Sequence, residues 1–358
     1  MEPYVGLLLI VILIIYYQEN CTDYNISVLG HKISLSNIVL YVSFVTFYSI
    51  RYRIGHDFAQ YERIILTNIA IPTYGEQRGE WISAYLMSLA TMFDEPAIYF
   101  SMIAIISFFF IIYVFNGSSD YKGSAAWGIL AFLSVPIGFI ESLSVQRQFL
   151  SIAILLFGMQ YIIQRRFVMY FFVVLLSSLC HMSSAIFICL YWVHNRFIKA
   201  YHIILVGAIL YLSIRLTVEW LINTFPVYAI YFESSLLEED GGFKQLACYF
   251  FLMVTVFFCR RFIYSVHLRR YDFYAKNFLI GVVLAVELFS FWPHAAIRLG
   301  AVCLYSYFIL LPYILNSFKQ KVIVKFIAVL ILSIFYALSI YLNSETGHYL
   351  PYQTIFMK

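Results

Sequence analysis

The sequence predicts an all-α, polytopic integral membrane protein of about 10–12 transmembrane helices with a re-entrant half-helix hairpin. Three observations predict it. Of 358 residues, 63% are hydrophobic and only 12% charged, against about 45–50% and about 25% in soluble domains. The mean hydropathy is +0.83. Apolar runs recur along the chain, and a span needs about 20 mostly apolar residues. A soluble core cannot hide that much apolar surface, so a cytosolic, disordered, collagenous or nucleic-acid-binding chain is excluded. The net charge of +4 is too small to mark a polyanion partner. The 31 Tyr, 35 Phe and 5 Trp suit lipid-facing Phe and interfacial Tyr.

The first run, Tyr4–Tyr17, follows Met1-Glu2-Pro3 without a basic n-region or small-residue cleavage site. It reads as a short membrane helix rather than a signal peptide. Further spans read as Ile33–Ile50, Ala97–Phe115, Ala125–Ile140, Leu143–Ile163, Tyr201–Ile222, Gln245–Cys259, Lys276–Trp292, Ala295–Asn316 and Val322–Leu342. Trp81–Phe93 is a half-span or interfacial helix. Residues 1–358 read as a single membrane domain with no internal repeat and no soluble domain. Its long loops are Arg51–Glu80 and Asn223–Lys244. Cys21, Cys180, Cys189, Cys248, Cys259 and Cys303 show no paired spacing, so they read as small hydrophobes rather than a zinc site or disulfide framework.

Lys and Arg in short loops set orientation. The basic clusters are Arg165-Arg166, Arg196 with Lys199, Arg260-Arg261 with Arg269-Arg270 and Lys276, and Lys319-Lys321-Lys325. A single span from Phe167 to Val193 puts Arg165 and Arg196 on opposite sides and every later cluster outside. Folding that run as two half-helices, entering and leaving on the cytoplasmic side, restores the parity. Its centre, Ser177 to Ser184, is the polar stretch of the run, and non-helical backbone at membrane depth must be buried in protein or line a cavity. His181 is therefore expected at an intramembrane turn facing a polar cavity. One long tilted helix with a core histidine is the alternative. In this register the N-terminus, Arg51–Glu80, the acidic loop Asn223–Lys244, Trp292-Pro293-His294 and the tail from Asn343 lie outside.

An ionisable residue inside a span is costly, about 2.5–3.5 kcal/mol on insertion scales, and so marks a candidate site. Arg147, His181, Arg215, Glu287 and Arg298 qualify. Arg147, flanked by Gln146 and Gln148, is expected a turn below the outer end of its helix. Arg215 and Glu287 fall in the outer halves of theirs, and Arg298 opens its own from outside. Arg51, Arg53, His56 and Asp57 lie just past the second span. For Arg51, Arg53 and Arg298, interfacial snorkelling is the competing explanation. Several arginines near one face suit an anionic ligand, because the guanidinium fork matches phosphate. No Asp/Glu/His cluster has metal-ligand spacing, and no nucleotide, dinucleotide, serine-hydrolase or zinc-protease motif is present.

Four patches resemble the EpsG/Wzy-type bacterial polysaccharide polymerases. They are Arg51-Tyr52-Arg53-Ile54-Gly55-His56-Asp57-Phe58 with Tyr61; Glu80-Trp81; Arg147-Gln148-Phe149-Leu150-Ser151; and His181-Met182-Ser183-Ser184. Arg298 and Pro351-Tyr352 are weaker echoes. The departures are Cys180 where the family has Phe, Ser151 and Ser184 where it has Ala, and His56 at a variable position.

The resemblance implies a GT-C-like polymerase or ligase architecture in the bacterial inner membrane, with its active site toward the periplasm. It implies a glycosyltransferase without metal or cofactor. That enzyme joins undecaprenyl-pyrophosphate-linked oligosaccharide repeat units, such as those of O-antigen, at the non-reducing end of an incoming unit. Membrane lipid and a chain-length regulator are the implied partners, and nucleic acid is not. Under it, Arg147, Arg51, Arg53 and Arg298 hold the pyrophosphate, whose developing charge prearranged donors stabilise. His181 suits a general base; Asp57 or Glu80 can take that role or orient an arginine. Gln148, Ser183, Arg215 and Glu287 are supporting residues. The loop Asn223–Lys244, with Tyr228, Tyr231 and Phe232, reads either as a glycan lid or as an ordinary solvated loop. Competing functions are an O-antigen ligase, which typically carries a larger periplasmic loop; a lipid-linked-oligosaccharide flippase, expected to show repeats and charges through both leaflets; and a membrane acyltransferase, which has no need of the arginines.

Overall fold

The first apolar run becomes a helix of 19 residues, α1 (Glu2–Asn20). The computed structural model containing it describes residues 2–21, 24–28, 31–68, 71–119, 121–194, 198–224, 241–289, 293–344 and 347–357. The short strands β1 (Asn25–Val28) and β2 (His31–Ser34) then pair antiparallel, with Asn25 opposite Ser34. Every other regular element among the described residues is helical, in keeping with the all-α expectation, and the expected second span Ile33–Ile50 gives up its first two residues to β2. Ser34 caps α2 (Leu35–Ile50), its Oγ accepting from the Asn37 N–H at 3.4 Å. There follow α3 (Phe58–Thr67), a π-helical turn at Thr73–Gln77, α4 (Trp81–Thr91) and α5 (Pro96–Gly117). Pro96 at the start of α5 lacks only an N–H that would have no partner within the helix.

The expected span Ala125–Ile140 divides into α6 (Ser124–Ser134) and α7 (Phe139–Ser144). Pro136 is the cause: it forces Val135 into an extended conformation (φ −95°, ψ 125°). A second break at Val145 delays the next helix, so α8 runs Gln146–Ile163 rather than from Leu143. Arg147 thus lies in the first turn of α8, not a turn inside it.

The run Phe167–Val193 folds back on itself. Its first limb is α9 (Phe167–Cys180). His181 is extended (φ −154°, ψ 111°) and breaks the helix. The second limb is a 3₁₀ helix, Met182–Cys189, ending in α10 (Leu190–Val193). The Tyr191 hydroxyl donates to the Arg165 carbonyl at 3.0 Å, and the Tyr191 and Phe167 rings lie 5.0 Å apart. A straight helix would hold these ends roughly 40 Å apart, so the single tilted helix is ruled out. At 14 residues, α9 is only about 21 Å long.

The remaining helices are α11 (Ala200–Thr224), α12 (Gly241–Cys259), α13 (Ser265–Phe289), α14 (Pro293–Leu304), α15 (Ser306–Ser317) and α16 (Lys321–Leu342). The expected span Ala295–Asn316 is thus interrupted at Tyr305. Among the described residues, four helical stretches are long and apolar enough to cross a membrane: Glu2–Asn20, Pro96–Gly117, Arg298–Ser317 and Lys321–Leu342. Shorter apolar helices accompany them.

The chain forms two units, Met1–Tyr191 with Leu311–Lys358, and Trp192–Leu310. The helices of the first run between two distinct ends. At one end, Glu19 accepts from Lys325 Nζ at 2.6 Å and from Trp127 Nε1 at 3.0 Å. Beside it Gln18 donates to Asn37 Oδ1 at 3.1 Å, and Asn37 to Asn116 Oδ1 at 3.0 Å. These residues close α1 and α5 and open α2, α6 and α16. At the other end, Tyr4 packs edge-on against Tyr352 at 5.3 Å, and Phe139 against Tyr336 at 5.5 Å. There the segment 347–354 lies along 51–55: Tyr52 N–H bonds the Gln353 carbonyl and Gly55 N–H the Gly347 carbonyl, both at 2.9 Å. Polar groups at both ends and apolar helices between are what a bundle of successive crossings requires.

In the second unit, Lys276 Nζ donates to the Val193 and Ile198 carbonyls at 2.6 and 2.7 Å. Asn277 Nδ2 donates to Ser306 Oγ at 2.7 Å. Helices α13 and α14 touch through Gly281 and Gly300: a Cβ on Gly281 would lie 2.8 Å from the Leu304 nitrogen, so only small residues permit this approach.

Candidate active site

The site is assembled at the Arg51 end of the first unit, around Glu80. The backbone delivers this residue through one tight turn. After the π-helical turn Thr73–Gln77, the Arg78 N–H bonds the Thr73 carbonyl at 3.2 Å and the Glu80 N–H bonds the Tyr74 carbonyl at 2.8 Å. Glu80 then precedes α4 and is only 2% exposed. A buried carboxylate is tolerable only when paired, and Glu80 is paired on both oxygens. Its Oε2 receives Arg147 Nη1. Its Oε1 contacts His181 Nδ1 at 2.9 Å and accepts the Met182 N–H at 3.2 Å. Three separated sequence patches therefore meet at one side chain.

Burial acts to raise the Glu80 pKa, but the His181 hydrogen bond, the Arg147 charge and the Met182 amide outweigh it and hold the carboxyl below the usual range. Arg147 is further fixed by aromatic groups. Its Nε donates to the Tyr61 hydroxyl at 3.3 Å, and its guanidinium carbon lies 4.5 Å from the Tyr74 ring centre. A cation in the first turn of a helix opposes the helix dipole, so Arg147 depends on Glu80. The same helix start carries the positive end of the helix dipole, which favours an incoming anion.

His181 sits at the apex of the hairpin, and α8 anchors both limbs. Ser151 Oγ lies 2.8 Å from Ser177 Oγ and also bonds Ser184 Oγ. Ser83 Oγ donates to the Cys180 carbonyl at 2.7 Å. With Nδ1 committed to Glu80, His181 presents Nε2 as its second nitrogen. Its side chain is 25% exposed.

The other predicted residues are placed differently. Arg51 is fully buried, with Nε, Nη1 and Nη2 lacking hydrogen-bond partners. Its guanidinium lies 4.9 Å from the Phe100 ring centre and 5.3 Å from that of Tyr48. The same Phe100 ring is 6.2 Å from Tyr61, so Arg51 and Arg147 flank one aromatic layer. Arg53 is exposed and pairs with Glu62 at 3.7 Å. Asp57 is half-buried at the start of α3, and exposed His56 lies 6.2 Å from Tyr349. Gln146 is buried and donates to the Ser142 carbonyl at 2.5 Å; Gln148 is also buried. Ser183 is exposed, and its neighbour Ser184 makes the inward bond. Arg298 lies on α14 in the second unit. The side chains of Arg215 and Glu287 and most of the loop Asn223–Lys244 lie outside the described residues. Among the described residues no group of His, Cys, Asp or Glu is suited to a metal ion.

A family model for the EpsG family matches residues 34–354, nearly the whole chain. The chain belongs to the EpsG family. The matched segment includes Arg51, Glu80, Arg147 and His181. EpsG membership and the apolar helices together make this a membrane-integral, polysaccharide-polymerase-like protein. Comparisons with curated proteins and with solved structures returned no match. Within this EpsG-family chain, sequence reasoning missed Tyr74 and Arg78. Tyr74 carries no motif, and only the turn that brings it under Arg147 reveals it.

Proposed function

We propose that this protein polymerises lipid-linked oligosaccharides at the periplasmic face of the inner membrane. The observation that carries the reading is the triad Arg147–Glu80–His181: a guanidinium, of a kind suited to phosphate, and an imidazole held by one buried carboxylate. The donor glycan is attached through its anomeric carbon to undecaprenyl pyrophosphate. A hydroxyl at the non-reducing end of the incoming unit attacks that carbon. Nε2 of His181 takes the hydroxyl proton as the new C–O bond forms. The anomeric C–O bond to phosphate breaks, and the electron pair leaves on the diphosphate, where Arg147 stabilises the growing charge. Glu80 orients both groups and is a positioning residue. Product glycan remains on the acceptor's lipid, so the cycle repeats.

Arg147→Ala is expected to abolish chain extension. In a strain lacking the gene, a lipopolysaccharide gel after restoration of the wild-type gene regains its ladder. The same strain carrying Arg147→Ala retains core with a single repeat unit. A full ladder from membrane-inserted Arg147→Ala overturns the site assignment. Loss of every repeat unit from the core in the deletion strain points instead to a ligase or flippase.

The fold-back of Phe167–Val193 supports re-entry from the cytoplasm. Single cysteines at Arg166 and Lys199, in a variant with the native cysteines replaced, are expected to react with a membrane-impermeant thiol reagent only when the cytoplasmic face is exposed. Reaction of the two from opposite faces contradicts the hairpin's re-entrant role.

A further inference from the structure

We infer that Arg78 is the second cation for the donor's diphosphate, sharing the ring of Tyr74 with Arg147. The inference rests on the donor class proposed above. A diphosphate bridging a lipid and a sugar has two ionised phosphates. Arg147 offers one positive charge, already matched by Glu80. Arg51 is sealed, with all three guanidinium nitrogens buried. Arg53 is engaged by Glu62. Charge balance at the site therefore calls for a further cation within reach of Arg147.

Arg78 meets that need. It is exposed, and among the described residues no carboxylate lies within ion-pair distance of it. Its guanidinium carbon is 5.1 Å from the Tyr74 ring centre, and that of Arg147 is 4.5 Å from the same point. The two guanidinium groups are thus within about 10 Å of each other, a gap that a diphosphate with an N–H···O bond at each end can bridge. One hydrogen-bonded turn carries Tyr74, Arg78 and Glu80, so the backbone fixes where each of these side chains starts. A cation–π contact with the ring uses none of the guanidinium's N–H donors in hydrogen bonds, which leaves them available for phosphate oxygens.

The test uses the purified full-length protein in detergent and isothermal titration with farnesyl diphosphate, with farnesyl monophosphate for comparison. Arg78→Ala is expected to weaken diphosphate binding by at least about tenfold, and to change monophosphate binding by less than about twofold. Arg78→Lys is expected to fall between, since it keeps the charge but loses the fork. Undiminished diphosphate binding by Arg78→Ala, together with its loss in Arg147→Ala, overturns the role of Arg78 and leaves the proposed function standing. Undiminished binding by both variants, or no binding by the wild-type protein, overturns the donor reading itself.

Discussion

A Glu80→Gln enzyme is expected to make polymer roughly 10²–10⁴-fold more slowly than the wild type. The amide keeps the shape of the side chain but removes its charge. Arg147 is then a largely buried cation without a counter-charge, at a helix start whose dipole repels it. Breaking a buried pair by removing one partner costs about 3–5 kcal/mol, so a fall in stability accompanies the loss of rate. His181 also loses the carboxylate that fixes Nδ1 as donor and Nε2 as acceptor, and a mis-set tautomer alone disables a histidine base. Polymer synthesis from purified lipid-linked repeat units, normalised to folded protein, measures the effect. Wild-type rates from Glu80→Gln show that the triad is not the catalytic centre.

Gly55→Ala is expected to lower stability by about 3 kcal/mol or more, from both steric and backbone strain. Gly55 has φ +101°, and an added Cβ would lie 2.2 Å from the Leu143 carbonyl oxygen, which is backbone and cannot swing away. The N–H of Gly55 also holds the Gly347 carbonyl. Any relief of the clash must therefore shift the turn that follows Arg51 and loosen the segment 347–354 above it. Gly6→Ala is the matched control, because nothing lies within 4 Å of the position a Cβ would take there. Thermal unfolding in detergent compares the two. A Gly55→Ala midpoint within about 1 °C of wild type contradicts the packing described.

Apolar periodicity and length predict most helices well, because bilayer thickness fixes how long a run must be. Interior breaks were harder to read. Pro136 was visible, yet the run across it is apolar enough to pass for one span. Val145 carries no helix-breaking signal, and only packing sets its break. The fold-back at His181 was legible for a different reason: an expectation that the basic residues on either side share one face calls for an even number of crossings between them. For the site, Arg147 and His181 stood out as ionisable groups inside apolar runs, whereas Glu80 stood out only through the resemblance of Glu80-Trp81 to the family pattern. Arg51 stood out equally but is covered by residues about 300 positions later in the chain, and no local pattern reports such a cover. Arg78 looked like any loop arginine until the turn placed it on Tyr74.

The order of synthesis follows from how the first unit is divided. Its two parts, Met1–Tyr191 and Leu311–Lys358, are separated by the whole of the second unit. The ribosome therefore delivers α1 and the Arg51 turn long before Tyr349, Tyr352 and Thr354 exist to pack against them. Through that interval the nascent bundle holds Arg51 uncovered and the Tyr4 hydroxyl without the Tyr349 carbonyl it bonds at 2.8 Å in the finished protein. Closure of the Arg51 end is thus a late event in biogenesis, and a half-made chain has its Arg51 turn but not the segment 347–354 that lies along it.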